Sequence, residues 1–542
     1  MIVTRIRSAM FTLLTVLICL PVIALIGAWV EWNGVSAEVL RDLFQTVLPE
    51  YAATSFFLSI GVALGVGFLG TTTATAVALF KFPGRSFFEW GLLLPMAIPA
   101  YVVAYAYTDF LQYSGSLQNF IRQQFGMDGR VLPEVRSLGG AVLVFSLALY
   151  PYVYLLVKTS LSDSASSLME AARMLGVPLR RRIVKVALPL ARPAMAAGMA
   201  LALMETLADF GVSSYFGIQT FTTGIYKSWL ILDNRVAASQ LASLLLLVVL
   251  ALLFVEKNAQ SKMRFSTLRS GHEQGRHTRL NTLSFGTSWL LTVWCALPIA
   301  LGFMVPIALM INPLLASEIA IDWTRFFEWT LNSLQLSATT AVIAVSIALV
   351  LIFNLRMFKD RVSQLATTLI GLGYALPGAV VVVGLLIPIA WTQKKWPYTP
   401  IGYWMTASVI GLIWAYLVRF CAVAIQTIQS GYARIPKSLD DSSRILGISG
   451  LHLLTSVHTP MLKRSILAAL LLVFVDVMKE LPVTLVLRPF NSDTLAVMAY
   501  QLARDERLGE AALPSLALVL AGLIPVIVLS RAISNKGEPV HA

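Results

Sequence analysis

Long apolar stretches alternate with short polar ones along almost the whole chain, and the length of the apolar stretches decides what they are. Phe11 to Val30, Ala141 to Val157, Val236 to Val255, Trp289 to Ile311 and Leu331 to Leu355 approach or exceed the roughly 20 residues a helix needs to cross hydrocarbon. Backbone facing lipid must satisfy its own hydrogen bonds, so helices are the expected spanning form. Twelve spans are predicted, near 11–30, 54–80, 87–107, 138–157, 193–214, 236–255, 289–312, 331–355, 364–391, 404–425, 465–487 and 511–530. The first follows Arg5 and Arg7, but Trp29, Glu31 and Trp32 come after it where a small-residue cleavage site would stand. It therefore reads as a retained helix.

The polar segments are repeated. Ser167-Leu168-Met169-Glu170-Ala171-Ala172-Arg173-Met174-Leu175-Gly176 returns as Ser438-Leu439-Asp440-Asp441-Ser442-Ser443-Arg444-Ile445-Leu446-Gly447, 271 residues on, with Leu188-Pro189 matched by Thr459-Pro460. Two further matches share an offset of 278: Thr54-Ser55-Phe56 with Asn332-Ser333-Leu334, and Ala97-Ile98-Pro99-Ala100 with Ala375-Leu376-Pro377-Gly378. The stretch from Glu256 to Thr287, basic and without an apolar run, separates the copies. The expected organisation is a first half of residues 1–256 with a polar loop at 158–192, a linker at 257–288, and a second half of 289–542 with its loop at 426–464. Six spans per half leave both copies the same way up, related by an axis along the membrane normal. The fold class is all-α integral membrane, two parallel six-helix repeats with a pathway between them.

Composition agrees, at 57% hydrophobic and 13% charged residues, where a soluble domain carries about 25% charged. With the N-terminus inside, about 27 of the 41 Lys and Arg fall on the cytoplasmic side and about 12 outside, as cytoplasmic loops require. Both termini and both repeated polar loops are thus placed in the cytoplasm. The net charge of +13 follows from topology, and no basic-aromatic surface points to nucleic acid. Cys19, Cys295 and Cys421 sit apart within predicted spans, giving neither a disulfide framework nor a zinc spacing. No glycine-rich phosphate loop occurs, so any ATP would be bound by another subunit. His272 and His277 lie in the linker without metal-ligand spacing, and no tightly bound metal or other cofactor is expected.

Within the first polar loop, Ser166 or Ser167 is the expected N-cap of a short helix, with Glu170 closing a capping box. Gly176 ends that helix and Pro178 blocks its continuation. Glu-Ala-Ala followed by Gly and later Leu-Pro resembles the coupling loop of ATP-binding-cassette importer permeases. The resemblance implies that Glu170, Ala171, Ala172 and Gly176 dock one cytoplasmic ATPase subunit and that Asp441, Ser442 and Gly447 dock a second. The change from Glu170-Ala171-Ala172 to Asp441-Ser442-Ser443 implies contacts equivalent in position and unequal in strength. Glu205-Thr206-Leu207-Ala208-Asp209-Phe210-Gly211, Phe221-Thr222-Thr223-Gly224 and Lys479-Glu480-Leu481-Pro482-Val483-Thr484 are similar to the iron(III) permeases of that family. That similarity implies a non-enzymatic permease of a bacterial inner membrane, working with a periplasmic solute-binding protein. Thiamine permeases share the fused layout, so the solute stays open between iron(III) and another small molecule.

Two spans carry paired carboxylates, Glu205 with Asp209 and Asp476 with Glu480, again 271 apart. The i, i+4 spacing puts each pair on one helix face, and ionised groups there must face the interior or water. At about 1.5 Å per residue, Asp209 lies roughly 25 Å above Arg192. One reading has the four carboxylates guiding a cation, since hard ions take oxygen ligands. The other has them pairing with Lys479, Arg488 or Tyr and Thr hydroxyls to hold helices together. Tyr101, Tyr105 and Tyr107 are expected to be interfacial anchors, with an entrance lining as the alternative. An ion-gradient-driven transporter would also suit twelve spans, although it leaves the paired loops unexplained. A membrane enzyme would need a catalytic constellation, and none is visible.

Overall fold

The computed structural model describes residues 2–30, 34–269, 280–315, 322–358 and 360–534. Ten helices within them are long and apolar enough to span a bilayer. The pair Arg85–Ala97 and Ala100–Phe125, bent by 85° at its break, makes eleven if taken as one span. The bend has a local cause. Ile98 is extended (φ −94, ψ 125) because the Pro99 ring excludes the helical conformation from the residue before it. Leu376 before Pro377 is extended in the same way (φ −71, ψ 121), so 364–391 is also broken. The repeated Ile-Pro and Leu-Pro strings are breaks inside their spans.

The spans bearing the carboxylates break too. Leu188–Ala208 ends at an extended Asp209 and resumes as Gly211–Tyr215. Lys463–Met478 gives way at Lys479, Glu480 and Leu481 before Pro482–Leu487. Predicted spans 193–214 and 465–487 are therefore each a long helix followed by a short one.

The two polar loops differ more than their sequences suggest. In the first half a single helix runs from Leu138 to Met174, so Ser166 and Ser167 lie within its backbone and the expected N-cap does not form. In the second half Val409–Tyr432 stops, and Ser438–Ile445 is a separate helix. Pro436 explains the difference, since a proline lacks the N–H that continues a helix and the first loop has no proline between Pro151 and Pro178. After both loops a one-turn π segment, Ile183–Ala187 or Leu454–His458, leads into Pro189 or Pro460. The wider turn gives room where the proline ring would clash with the carbonyl four residues back.

Each half is closed by the other's first helix. Ile2–Gly27 packs on Arg361–Ile370 and Gly378–Lys395 of the second half, where Trp414 Nε1 donates to the Leu17 carbonyl at 3.0 Å. A Cβ at Gly384 would stand 2.4 Å from the Pro21 carbonyl, so only glycine allows that approach. Conversely, the helix segments from Phe285 to Leu315 pack against the first half, with Tyr107 Oη donating to the Leu301 carbonyl at 2.5 Å. The linker continues as helix to Arg269. Its residues 270–279, with His272 and His277, lie outside the described residues. Asn281–Thr282 then pairs in parallel with Phe80–Lys81.

Candidate functional site

A cavity of about 320 Å³ lies between the halves, and all four candidate pathway carboxylates line it: Glu205, Asp209, Asp476 and Glu480. Their 271-residue spacing is thus a pseudo-two-fold relation across one space. The halves meet around it through Tyr226 Oη donating to the Pro482 carbonyl at 2.7 Å and Ser214 Oγ with Tyr500 Oη at 2.8 Å.

The four carboxylates divide into two kinds. Asp209 Oδ1 accepts from Val212 N at 2.8 Å, and Glu480 Oε2 accepts from Val483 N at 3.0 Å and Thr484 N at 3.3 Å. Each therefore caps the short helix after its break, satisfying donors that an isolated helix start leaves open. Glu480 Oε1 is also ion-paired with Arg419 Nη1, both side chains being nearly buried. Glu205 and Asp476 are half-buried, face the cavity, and join no salt bridge among the described residues.

Of the expected pairings, the Thr484 hydroxyl meets Glu480 Oε2 at 3.3 Å, whereas Lys479, which lines the cavity, and Arg488, which does not, have other hydrogen-bond or ion-pair partners. Lys479 Nζ donates to the Met96 carbonyl at 3.0 Å, and Arg488 is ion-paired with Asp493. Arg419 was the missed residue. Its signal was available, since an arginine inside an apolar helix demands a partner, but Glu480 is 61 positions away. Tyr101, Tyr105 and Tyr107 are not surface anchors: all three are buried, at 4%, 4% and 6% exposure. Tyr101 lines the cavity, and the Tyr101 and Tyr105 hydroxyls have no hydrogen-bond partner among the described residues. Tyr152 and Tyr374 line the cavity as well, which nothing in their sequence spacing indicated.

At the polar loops, Gly176 and Gly447 adopt the same left-handed backbone, φ +73 and +76. Gly176 N donates to Arg173 O at 3.0 Å and Val177 N to Ala172 O at 3.0 Å; Gly447 N and Ile448 N repeat this with Arg444 O at 3.0 Å and Ser443 O at 2.9 Å. Both ends are Schellman turns. Glu170, Ala171, Asp441 and Ser442 are exposed and Ala172 is half-buried. Ahead of each glycine stand two bare apolar side chains, Met174 at 90% and Leu175 at 82%, Ile445 at 86% and Leu446 at 76%. Four such tips at matching positions on two loops form paired surfaces for a partner to cover.

The second loop carries a buried charge latch that its matching positions in the first do not repeat; the ion pair of the first loop, Lys158 with Glu89 at 2.7 Å, lies at its start. Asp440, 5% exposed, accepts from Arg356 Nε at 2.7 Å and lies 3.0 Å from His458 Nε2. His458 Nδ1 meets Tyr432 Oη at 3.1 Å, and Arg356 also donates to the carbonyls of Tyr432, Ile435 and Pro436 at 3.0–3.1 Å. Burial pushes the His458 pKa down from 6.5, the Asp440 carboxylate opposing and Arg356 adding to that shift. In the first half the corresponding positions are Met169, Ala187 and Leu161, and Arg182 Nη1 donates to the Met169 carbonyl at 3.5 Å.

Comparison with known proteins finds the family described as binding-protein-dependent transport system inner membrane component, matched twice, over residues 67–264 and 347–535. The chain is 26% identical over 530 residues to the Fe(3+)-transport system permease protein FbpB 2 of Haemophilus influenzae, covering 96% of this chain and 97% of that one. It is 23% identical to the ferric transport system permease protein FbpB of Actinobacillus pleuropneumoniae, over 86% of this chain and 69% of the relative. The sulfate transport system permease protein CysT of Salmonella typhimurium matches 45% of the chain at 27% identity, which is 85% of that shorter protein.

Proposed function

The chain belongs to the family of binding-protein-dependent transport system inner membrane components, and on that footing we propose that it imports iron(III), the cavity between its halves being the pathway. The permease lies in a bacterial inner membrane with both termini in the cytoplasm. A periplasmic solute-binding protein delivers the ion, and two ATP-binding-cassette subunits dock at the coupling loops. Glu170, Ala171, Ala172 and Gly176 form one contact; Asp441, Ser442 and Gly447 form the other. ATP is bound by those subunits, and this chain moves its broken helices in response.

The observation that carries the solute class is the charge balance of the cavity. Relatives named for sulfate and for ferric ion are both similar to this chain. Four carboxylates line the cavity against two cations, Arg419 ion-paired with Glu480 and Lys479 donating to the Met96 carbonyl, so negative groups outnumber positive ones. Glu205 and Asp476 are left facing the space, a field that favours a cation. The breaks at Asp209 and at Lys479 to Leu481 support movement there, because short capped helices can tilt without unwinding a long one.

The test is reconstitution in proteoliposomes with the ATPase subunits and candidate binding proteins. Stimulation of ATP hydrolysis by the iron-loaded binding protein is expected. Stimulation by a sulfate-loaded or thiamine-loaded protein, with none by the iron-loaded one, would replace iron as the solute.

A further inference from the structure

The cavity holds more oxygen donors than its carboxylates, and they are not arranged symmetrically. Tyr152 comes from the Leu138–Met174 helix of the first half and Tyr374 from the short turn 373–375 of the second. Both tyrosines line the one cavity together with Glu205 and Asp476. Neither tyrosine is repeated: Val423 and Met96 occupy the matching places. One helical turn further along the carboxylate pairs, Tyr101 lines the same cavity as Asp209 and Glu480, its ring against Gly211. Its buried hydroxyl lines the cavity and has no partner among the described residues, an arrangement that costs free energy unless a ligand or water completes it.

We propose that Glu205, Tyr152 and Tyr374 form a transient ligand set for a hard trivalent cation, with Asp476 facing it and the Tyr101 hydroxyl marking the adjoining step of the path.

The ligand set rests on the reading of the chain as an iron(III) importer and adds where the ion is held. No three His, Cys, Asp or Glu side chains converge on a metal position among the described residues, so the carboxylates alone do not make a chelate. Phenolate oxygen is a hard anionic donor of the kind such ions select. Ligation requires each phenol to lose its proton, which passes to water, so binding is accompanied by proton release and strengthens as pH rises. The iron remains Fe(III) throughout. Arg419 and Lys479 stand on the wall of the second half and oppose added positive charge. That opposition suits a site that must also let the ion go.

The experiment titrates ferric nitrilotriacetate into the full-length chain in lipid nanodiscs, reading visible phenolate-to-iron charge-transfer absorbance together with proton release. A band saturating at one iron per chain is expected in the wild type and in a Tyr398→Phe control, Tyr398 being fully exposed. Tyr152→Phe with Tyr374→Phe removes the band, and Glu205→Gln keeps it while weakening affinity at least ~10-fold. Absence of the band in the wild type, or its survival in the double variant, overturns the site. Iron uptake by the reconstituted complex separates the two levels. Uptake without the band leaves the importer reading standing, whereas a band without uptake, in a complex driven by another loaded binding protein, removes that reading and keeps the site.

Discussion

Asp209 and Glu480, 271 residues apart, play the same local role, each accepting the backbone N–H three residues ahead, from Val212 and Val483. Among the described residues, Glu480 alone of the two has in addition a cation, Arg419, against it. The same backbone device thus sits in two electrostatic settings on opposite walls of one cavity.

Removing one partner of a nearly buried ion pair leaves an uncompensated charge. Arg419→Met should therefore lower the stability of the purified chain by about 3–5 kcal/mol, and Arg419→Met with Glu480→Gln by less than the two single effects summed. Thermal unfolding of the single and double variants in the same lipid nanodiscs checks this. Asp209→Ala removes a cap without stranding a charge and should cost about 1 kcal/mol.

Gly176 and Gly447 hold φ values that a side chain resists. Gly176→Ala or Gly447→Ala should cost about 1–2 kcal/mol at the loop corner, and Asn, which tolerates the left-handed region, should restore part of it. The expected functional sign is a fall in solute-stimulated ATP hydrolysis with assembly retained. Unchanged stimulation in both alanine variants would mean that the angle of the corner is not transmitted.

The bare tips Leu175 and Leu446 should be replaceable by Glu with little effect on folding, since exposed positions away from special contacts usually shift stability by about 0.5 kcal/mol or less. Co-purification of the ATPase subunits should nevertheless be lost or sharply reduced. Retention of both subunits by the Leu175→Glu, Leu446→Glu double variant would place docking elsewhere.

The latch at Asp440 predicts a pH dependence confined to the second half. The groups facing His458 are Asp440, Arg356 and Tyr432, with the Phe353 ring against it. Burial holds the folded His458 pKa below its unfolded value of 6.5. The neutral ring thus stabilises the fold above about pH 6.5, and that contribution is lost as pH falls through the lower folded value. The melting temperature of the wild type should fall more steeply between pH 7 and pH 5 than that of His458→Asn. Parallel curves for the two proteins would exclude the latch as the titrating element.

Much of this arrangement is legible in the chain itself. The duplicated offset locates both glycine corners and pairs the carboxylates, because repeats preserve spacing. Other features depend on neighbours distant in sequence. Tyr101 and Tyr105 resemble interfacial anchors in any linear reading, and it is the packing of Leu138–Met174, Gly211–Tyr215 and Val305–Leu315 against their helix that buries them. Pro99 and Pro377 are visible as repeated letters, yet a hydropathy window averages across a break and returns one span. The helical continuity up to Glu170 is hidden for a related reason: the polar residues ahead of Ser166 read as a break before a separate short helix, and a helix leaving the bilayer needs no apolar face to continue.

A cation that passes Glu205 and Asp476 on its way through the cavity makes iron(III) uptake sensitive to both, and this is measured in proteoliposomes containing the assembled complex with Glu205→Gln and Asp476→Asn together. Uptake should fall at least ~10-fold, the factor expected when about 1.4 kcal/mol of favourable interaction is lost, while both ATPase subunits and the binding protein still associate. Uptake at the wild-type rate in that variant would mean that the ion does not pass these two carboxylates.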